Sequence, residues 1–193
     1  SGTFEGWKKG FDLFAAPGME REAFILAQAF AAPLMRFTGV NGICIHLDGD
    51  SGAGKSTLQK LILGVWGNHD KMFVRATGSK TGSTQNYTAH TIGVFQNLPF
   101  AIDEITNSDA EWCSDFIYSF SRGHEKGRLK NSEDAQIGKS WQSIAITSAN
   151  GSLIEKMATH KNDIRAEVLR MFEFKFVTDR SGEDRAWIKR MSS

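Results

Sequence analysis

The sequence predicts an α/β fold, a three-layer sandwich around a mainly parallel, five-stranded sheet. Three observations lead there. Five short apolar runs alternate with stretches of helical periodicity along the chain. The first run, Ile43 to Leu47, passes directly into a glycine loop, Gly49-x-x-x-x-Gly54-Lys55-Ser56. Another, Leu98 to Glu104, ends in two adjacent acids. The chain of 193 residues suits one domain of ordinary size, and its 14 Phe and 5 Trp can fill a substantial core.

Residues 1–41 read as a helical lead-in, 42–177 as the core and 178–193 as a charged, peripheral tail. Ser1-Gly2 has the look of a cleavage remnant, so the chain reads as a piece of something longer. Residues 3–18 scatter Phe4, Trp7, Phe11 and Phe14 and end at Pro17-Gly18, which predicts a loosely structured segment. Residues 19–36 are helical; Phe24 to Ala32 is apolar nearly all round, as in a buried helix, and Pro33 ends or kinks it. Thr38 to Gly42 is a turn before the first strand. After the glycine loop, Leu58, Leu61, Ile62, Val65 and Trp66 share one helix face.

Met72 to Ala76 is a short strand, Gly78 to Gly82 a polar loop, and Thr84 to Phe95 a helix capped by Ser83 or Thr84. Leu98 to Glu104 is a buried strand. Asn107-Ser108-Asp109 caps a helix with Trp112, Phe116, Ile117 and Phe120 near one face. Residues 121–140 are polar and basic. Trp141 to Ala149 is the next strand, Ser152 to Met157 a short helix, and Asn162-Asp163 caps the last helix. Met171 to Val177 alternates Phe172, Phe174 and Phe176 with Glu173 and Lys175, a half-exposed strand.

Composition narrows the function classes. A formal charge of +1 gives no global basic field, so any nucleic-acid contact must be local. Cys44 and Cys113 form no metal or disulfide pattern, which is compatible with a reducing cytoplasm. There is no apolar run of membrane-spanning length and no signal-peptide pattern. His46 alternates within the first strand as a satisfied core residue, and His69, His90 and His160 lack metal-ligand spacing.

Strand, glycine loop, Lys-Ser and helix in this order form the phosphate-binding loop of nucleotide hydrolases. The loop residues are Gly49, Asp50, Ser51, Gly52, Ala53, Gly54, Lys55, Ser56 and Thr57. Gly49, Gly52 and Gly54 let successive N–H groups turn toward one anion, and the following helix adds its positive end. Lys55 reaches the β and γ phosphates of ATP, and the Ser56 hydroxyl ligates Mg²⁺. On the acidic strand, Asp103 holds Mg²⁺ directly or through water, and Glu104 is the general base for the attacking water. The strand Ser143 to Asn150 ends at the same crevice in a parallel sheet. Asn150 would orient the water or sense the γ phosphate, with Thr147 and Ser148 as alternatives and turn chemistry at Asn150-Gly151 as the competing explanation.

With these strands placed, the chain resembles AAA+ ATPases, P-loop NTPases of the ASCE type. It is most similar to the superfamily 3 helicases of phages and mobile elements, and more narrowly to the phage-type primase-helicase ATPases of domain-of-unknown-function family 927. The stretches that carry the resemblance are Gly49 to Thr57, Val65-Trp66-Gly67, Thr84-Gln85-Asn86, Leu98 to Glu104, Arg122 to Arg128, and Lys139 to Asn150. The resemblance implies a ring, usually a hexamer, that couples ATP hydrolysis to movement on single-stranded DNA. One departure is that little chain follows the last strand, so the helical lid of many AAA+ proteins is expected to be missing or minimal; superfamily 3 enzymes also have reduced lids.

Ring ATPases place a neighbour's arginine at the γ phosphate. By resemblance that residue is Arg170, just before Phe172, with Arg165 second; the plainer alternative is a surface arginine paired with Asp163, Glu167 or Glu173. Superfamily 3 enzymes carry a DNA-gripping hairpin between the acidic and sensor strands. Here that interval holds Arg122, His124, Lys126, Arg128 and Lys130, unless Arg128 is itself the arginine offered to a neighbour or the loop is merely solvated. The alternatives are an ATPase of DNA packaging or protein remodelling, a small-molecule kinase, and a module that holds ATP without hydrolysing it. Asp103-Glu104 argues against the kinase.

Overall fold

The structure is a computed structural model that describes residues 3–76, 83–124 and 139–176. Five strands, β1 (Gly42–Gly49), β2 (Phe73–Arg75), β3 (Phe100–Asp103), β4 (Ser143–Ala149) and β5 (Met171–Phe176), form one sheet in the order β2-β3-β4-β1-β5. Every pairing is parallel, so the expectation of a mainly parallel sheet is met in full. The helices are α1 (Phe4–Asp12), α2 (Glu20–Leu34), α3 (Lys55–Gly64), α4 (Ser83–Phe95), α5 (Ala110–Arg122), α6 (Leu153–Ala158) and α7 (Arg165–Val168).

Strand alternation assigns each face its partner. Ile45, Leu47, Ile144 and Ile146 point to the layer of α2 and α3, where Ile25, Ala29, Leu58 and Ile62 meet them. Cys44, Ala145 and Ala149 point to the layer of α4, α5 and α6, against Ile92, Phe116, Phe120 and Leu153. Residues such as Leu47, Ile62 and Ile146 are fully enclosed, each stabilising the fold by roughly 1.5–3 kcal/mol through burial.

Three elements depart from expectation. Residues 3–18 are not loose: α1 is capped by the Thr3 hydroxyl, which accepts from the Gly6 N–H at 3.1 Å, and is braced by a Lys8–Asp12 ion pair. Helix α2 is not buried all round, since Phe24, Phe30 and Leu34 remain exposed; Pro33 lies inside it, one residue before its end. In β5 the phenylalanine face is not the buried face throughout. Phe172 is 58% exposed, whereas Glu173 turns inward and accepts from the Leu153 and Ile154 N–H groups at 2.9 and 3.2 Å. A carboxylate at the open N-terminal end of α6 outweighs the strand's simple alternation.

The expected caps Ser83 and Thr84 have side chains outside the described residues, as do the loop Gly78 to Gly82, Val177 and the tail 178–193. Asp109 and Ser152 stand at the N-caps of α5 and α6. For α7 the N-cap is Ile164, although Asp163 Oδ1 still accepts from the Arg165 N–H at 3.1 Å.

At the far end of α5, Gly123 adopts φ 74°, and a Cβ there would fall 2.5 Å from Asn41 Cβ and 2.7 Å from the Trp141 carbonyl oxygen. Only glycine fits. The Gly123 carbonyl accepts from the Trp141 N–H at 2.8 Å, and His124 pairs with Ser140 in an antiparallel bridge. The residues that flank the basic segment on either side are therefore held together at one pinched neck.

Candidate functional site

Parallel strands bring their C-terminal ends to one edge, and the turns that follow β1, β3 and β4 meet there. After β1 the chain turns through Gly54, at φ 88°, into α3; an L side chain at that φ would be strained. Lys55 opens the helix and is 5% exposed. Its ammonium donates to the Gly49 carbonyl, to the Asp50 carbonyl at 2.9 Å and to Asn150 Oδ1 at 3.2 Å. Among the described residues no carboxylate lies within ion-pair distance of it.

One residue along, Ser56 Oγ donates to Asp103 Oδ1 at 3.0 Å. Asp103, at the end of β3, is 3% exposed, and its Oδ1 also accepts from Ser148 Oγ at 2.6 Å. Arg75 of β2 comes within 3.7 Å of Oδ2, but its side chain is 68% exposed, so solvent screens the pair. Ser56 and Asp103 together are hard oxygen donors, the type that suits Mg²⁺.

Glu104 follows directly, half-buried, with φ 55° and ψ 42°. A left-handed glutamate costs about 1–2 kcal/mol. Its carbonyl starts the 3₁₀ turn Ile105–Asn107 by accepting from the Asn107 N–H at 2.9 Å. Strain of this kind collects where a side chain must be aimed.

Behind these groups lies a second set: Gln59, which residue patterns did not single out, and His46, which is the satisfied core residue expected. Gln59, four residues after Lys55 and fully buried, donates to the Ile102 and Ile146 carbonyls at 3.2 and 2.9 Å, tying α3 to β3 and β4. A polar residue on the inner face of α3 was the available signal. His46, also fully buried, lies 2.9 Å from Thr147 Oγ1 and 3.1 Å from the Gly151 carbonyl. A carbonyl only accepts, so His46 Nε2 carries the proton and Nδ1 accepts from Thr147. Thr147 is thereby spent on the core, Ser148 on Asp103, and Asn150 alone of the three reaches Lys55.

Burial lowers the His46 pKa from its ordinary 6.5; the nearby Glu173 and Asp48 oppose the shift and Lys55 adds to it. The unfolded chain then binds the proton more readily than the native protein does. Stability is therefore complete above about pH 6.5 and declines below it, by up to about 1.4 kcal/mol per pH unit. Urea unfolding at pH 7.5 and 5.5 should show that decline, and a His46→Gln variant should lose this part of it. Burial also pushes both thiols, Cys44 and Cys113, up to about 12, so neither is a reactive group.

The arginines lie elsewhere. The Arg170 carbonyl accepts from the Cys44 N–H, and the Arg122 carbonyl from Asn41 Nδ2, so both residues sit at the entering end of the strands. Gly49 lies five residues beyond Cys44, roughly 16 Å along the strand. Arg165 is held by Asp163 at 2.8 Å, although both side chains are exposed and the pair is weak. Arg170 stacks over the Tyr118 ring at 5.1 Å, and Arg122 over the same ring at 5.8 Å. His124 is exposed at the neck of the basic segment. Lys126, Arg128 and Lys130 lie outside the described residues.

The profile of the family described as Domain of unknown function (DUF927) matches residues 1–140. The chain belongs to that family. No curated protein sequence matches it. Similar solved structures include one titled "SCCmec type IV Cch - active helicase", with TM-score 0.59, 22% identity, and coverage of 98% of this chain and 34% of that one. The Hsp104–ADP complex of S. cerevisiae gives TM-score 0.62, 12% identity, and coverage of 99% and 40%. The JCV helicase gives 0.50, 13%, and coverage of 98% and 51%. This DUF927 chain thus spans about a third to a half of the length of these structures. The likeness is one of fold, the parallel α/β architecture of P-loop NTPases.

Proposed function

We propose that the chain is the ATP-hydrolysing motor domain of a replicative DNA helicase of the phage or mobile-element type. It works in a ring, expected to be a hexamer, that moves along single-stranded DNA. The observation that most supports this is the 3.0 Å contact between Ser56 Oγ and Asp103 Oδ1, which joins the phosphate loop to the acidic strand.

In this mechanism the loop N–H groups of residues 49–57 and the Lys55 ammonium hold the β and γ phosphates of ATP. Ser56 and Asp103 hold Mg²⁺, which when bound offsets the phosphate charge. Ser148, through its bond to Asp103, fixes the carboxylate in place. Glu104 takes the proton of the attacking water as it approaches the γ phosphate. Asn150, already beside Lys55, orients that water.

An arginine at the entering end of the sheet is a strand's length from its own phosphate loop, so Arg170 serves a neighbouring subunit. The three acids that would pair an ordinary surface arginine here are engaged elsewhere: Asp163 with Arg165, Glu167 with Ser114 and Lys161, and Glu173 with α6. Arg165 is the second candidate, because Asp163 already takes two of its guanidinium hydrogen bonds. The basic segment from Arg122 through His124, Lys126, Arg128 and Lys130 grips the DNA backbone from the pinched neck.

ATP turnover followed against protein concentration, with and without single-stranded DNA, tests the proposal. Specific activity should rise with concentration and with DNA, and Arg170→Ala should remove the concentration-dependent rise by about 10³-fold or more in an assembled ring. Turnover independent of both concentration and DNA would exclude a ring motor on DNA; concentration dependence alone would favour the packaging or remodelling alternative.

A further inference from the structure

We propose that Tyr118 is a positioning residue for Arg170, holding the guanidinium at the outer face of the domain in the attitude from which it meets a neighbour's nucleotide. This rests on the role given to Arg170 above and adds the residue that aims it.

Arg170 sits at the turn between α7 and β5, and its fixed contacts are few. Its side chain donates to the Ala166 carbonyl and lies over the Tyr118 ring at 5.1 Å. Among the described residues no carboxylate is within ion-pair distance of it. The turn that carries it is anchored. Glu167 is 1% exposed, accepts from Ser114 Oγ of α5 at 2.7 Å and pairs with Lys161 at 3.0 Å. Burial works against the Glu167 charge, but these hydrogen bonds outweigh it and hold the carboxyl below its usual range.

Helix α5 thus fixes the Arg170 turn twice, by Ser114 inside and by Tyr118 outside, one helical turn apart. A carboxylate partner would neutralise the guanidinium and compete with phosphate. An aromatic ring orients the cation and leaves its charge and most of its donors free. Arg122 lies over the same ring, so two positive charges gather there without a described acidic counterpart. Tyr118 is 41% exposed, and Leu169 and Phe172 beside Arg170 are 86% and 58% exposed. Arginine among exposed aromatic and apolar side chains is a composition common at the face one subunit turns to another.

The test compares Tyr118→Leu with Tyr118→Phe in the assembled protein, each also made in an Arg170→Ala background. Tyr118→Leu should lower kcat by about 2–5-fold, the weight of an exposed cation–π contact, with KM, oligomer size and thermal midpoint unchanged. Tyr118→Phe should keep wild-type kcat, because the ring and not the hydroxyl carries the contact. In the Arg170→Ala background, Tyr118→Leu should cause no further loss. The proposal is overturned if Tyr118→Leu leaves kcat unaltered, if Tyr118→Phe is as impaired, or if the loss persists without Arg170. Should Arg170→Ala itself leave turnover unchanged, the arginine's role fails first and takes this proposal with it. A normal Arg170 effect with a silent Tyr118→Leu refutes the positioning alone.

Discussion

Replacing Glu104 by Gln is expected to lower ATP turnover by about 10²–10⁴-fold while nucleotide binding is kept. Glutamine has the same length and shape and can still hydrogen-bond a water, but it cannot accept the water's proton. The residue occupies the left-handed region at φ 55°, immediately after the buried Asp103. That backbone turns the chain out of β3 at the edge of the sheet where the phosphate loop and Asn150 also lie. The strain supplies a control: Glu104→Gly should lose turnover to the same degree yet leave the fold no less stable. Relief of about 1–2 kcal/mol of left-handed strain offsets the roughly 0.5–1 kcal/mol that glycine's backbone freedom costs. Steady-state phosphate release, labelled-nucleotide binding and urea unfolding of the two variants check the three parts. Wild-type turnover in Glu104→Gln would remove Glu104 from the chemistry.

The features that the sequence announces are those whose cause is local. The passage from Ile43 through Ser56 is one continuous segment, and the tight loop needs glycine where φ is positive. The ends of β3 and β4 were legible for a related reason, since a run of buried residues stops where polar groups reach the crevice. Helix α1 was missed because Gly6 and Gly10 depress its helix propensity, and the Thr3 cap and Lys8–Asp12 pair that support it are small effects. The inward turn of Glu173 was hidden because its reason lies at the start of α6, twenty residues earlier. Tyr118 under Arg170 joins positions 52 residues apart in the chain, and no periodicity in either element marks that contact. Ser148 stood among the alternatives for a water-orienting group; its bond to Asp103 makes it a brace for the carboxylate instead.

Lys55→Met should abolish stabilisation by ATP and leave the unliganded fold nearly as stable as before. Lys55 is a buried cation whose described partners are two backbone carbonyls and an amide oxygen, with no carboxylate to balance it. Burying such a charge costs free energy that neutral acceptors only partly return. Methionine keeps the apolar stem and removes the charge. Of the acceptors released, those of Asp50 and Asn150 belong to exposed residues that water can reach, while the carbonyl of buried Gly49 loses a donor. That cost offsets the relief of the buried charge, so the net change in stability should stay within about 1 kcal/mol. The bound state differs, because a triphosphate brings the anion that the site lacks. Loss of one charge-assisted hydrogen bond to phosphate weakens binding by about two orders of magnitude. Thermal unfolding with and without ATP separates the cases. Wild type should gain a ligand-dependent rise in midpoint, and Lys55→Met should show none at the same nucleotide concentration. If the variant unfolds several kcal/mol more easily without ligand, Lys55 is a structural cation. If ATP still raises its midpoint as in wild type, the loop at residues 49–56 is not where the phosphates lie.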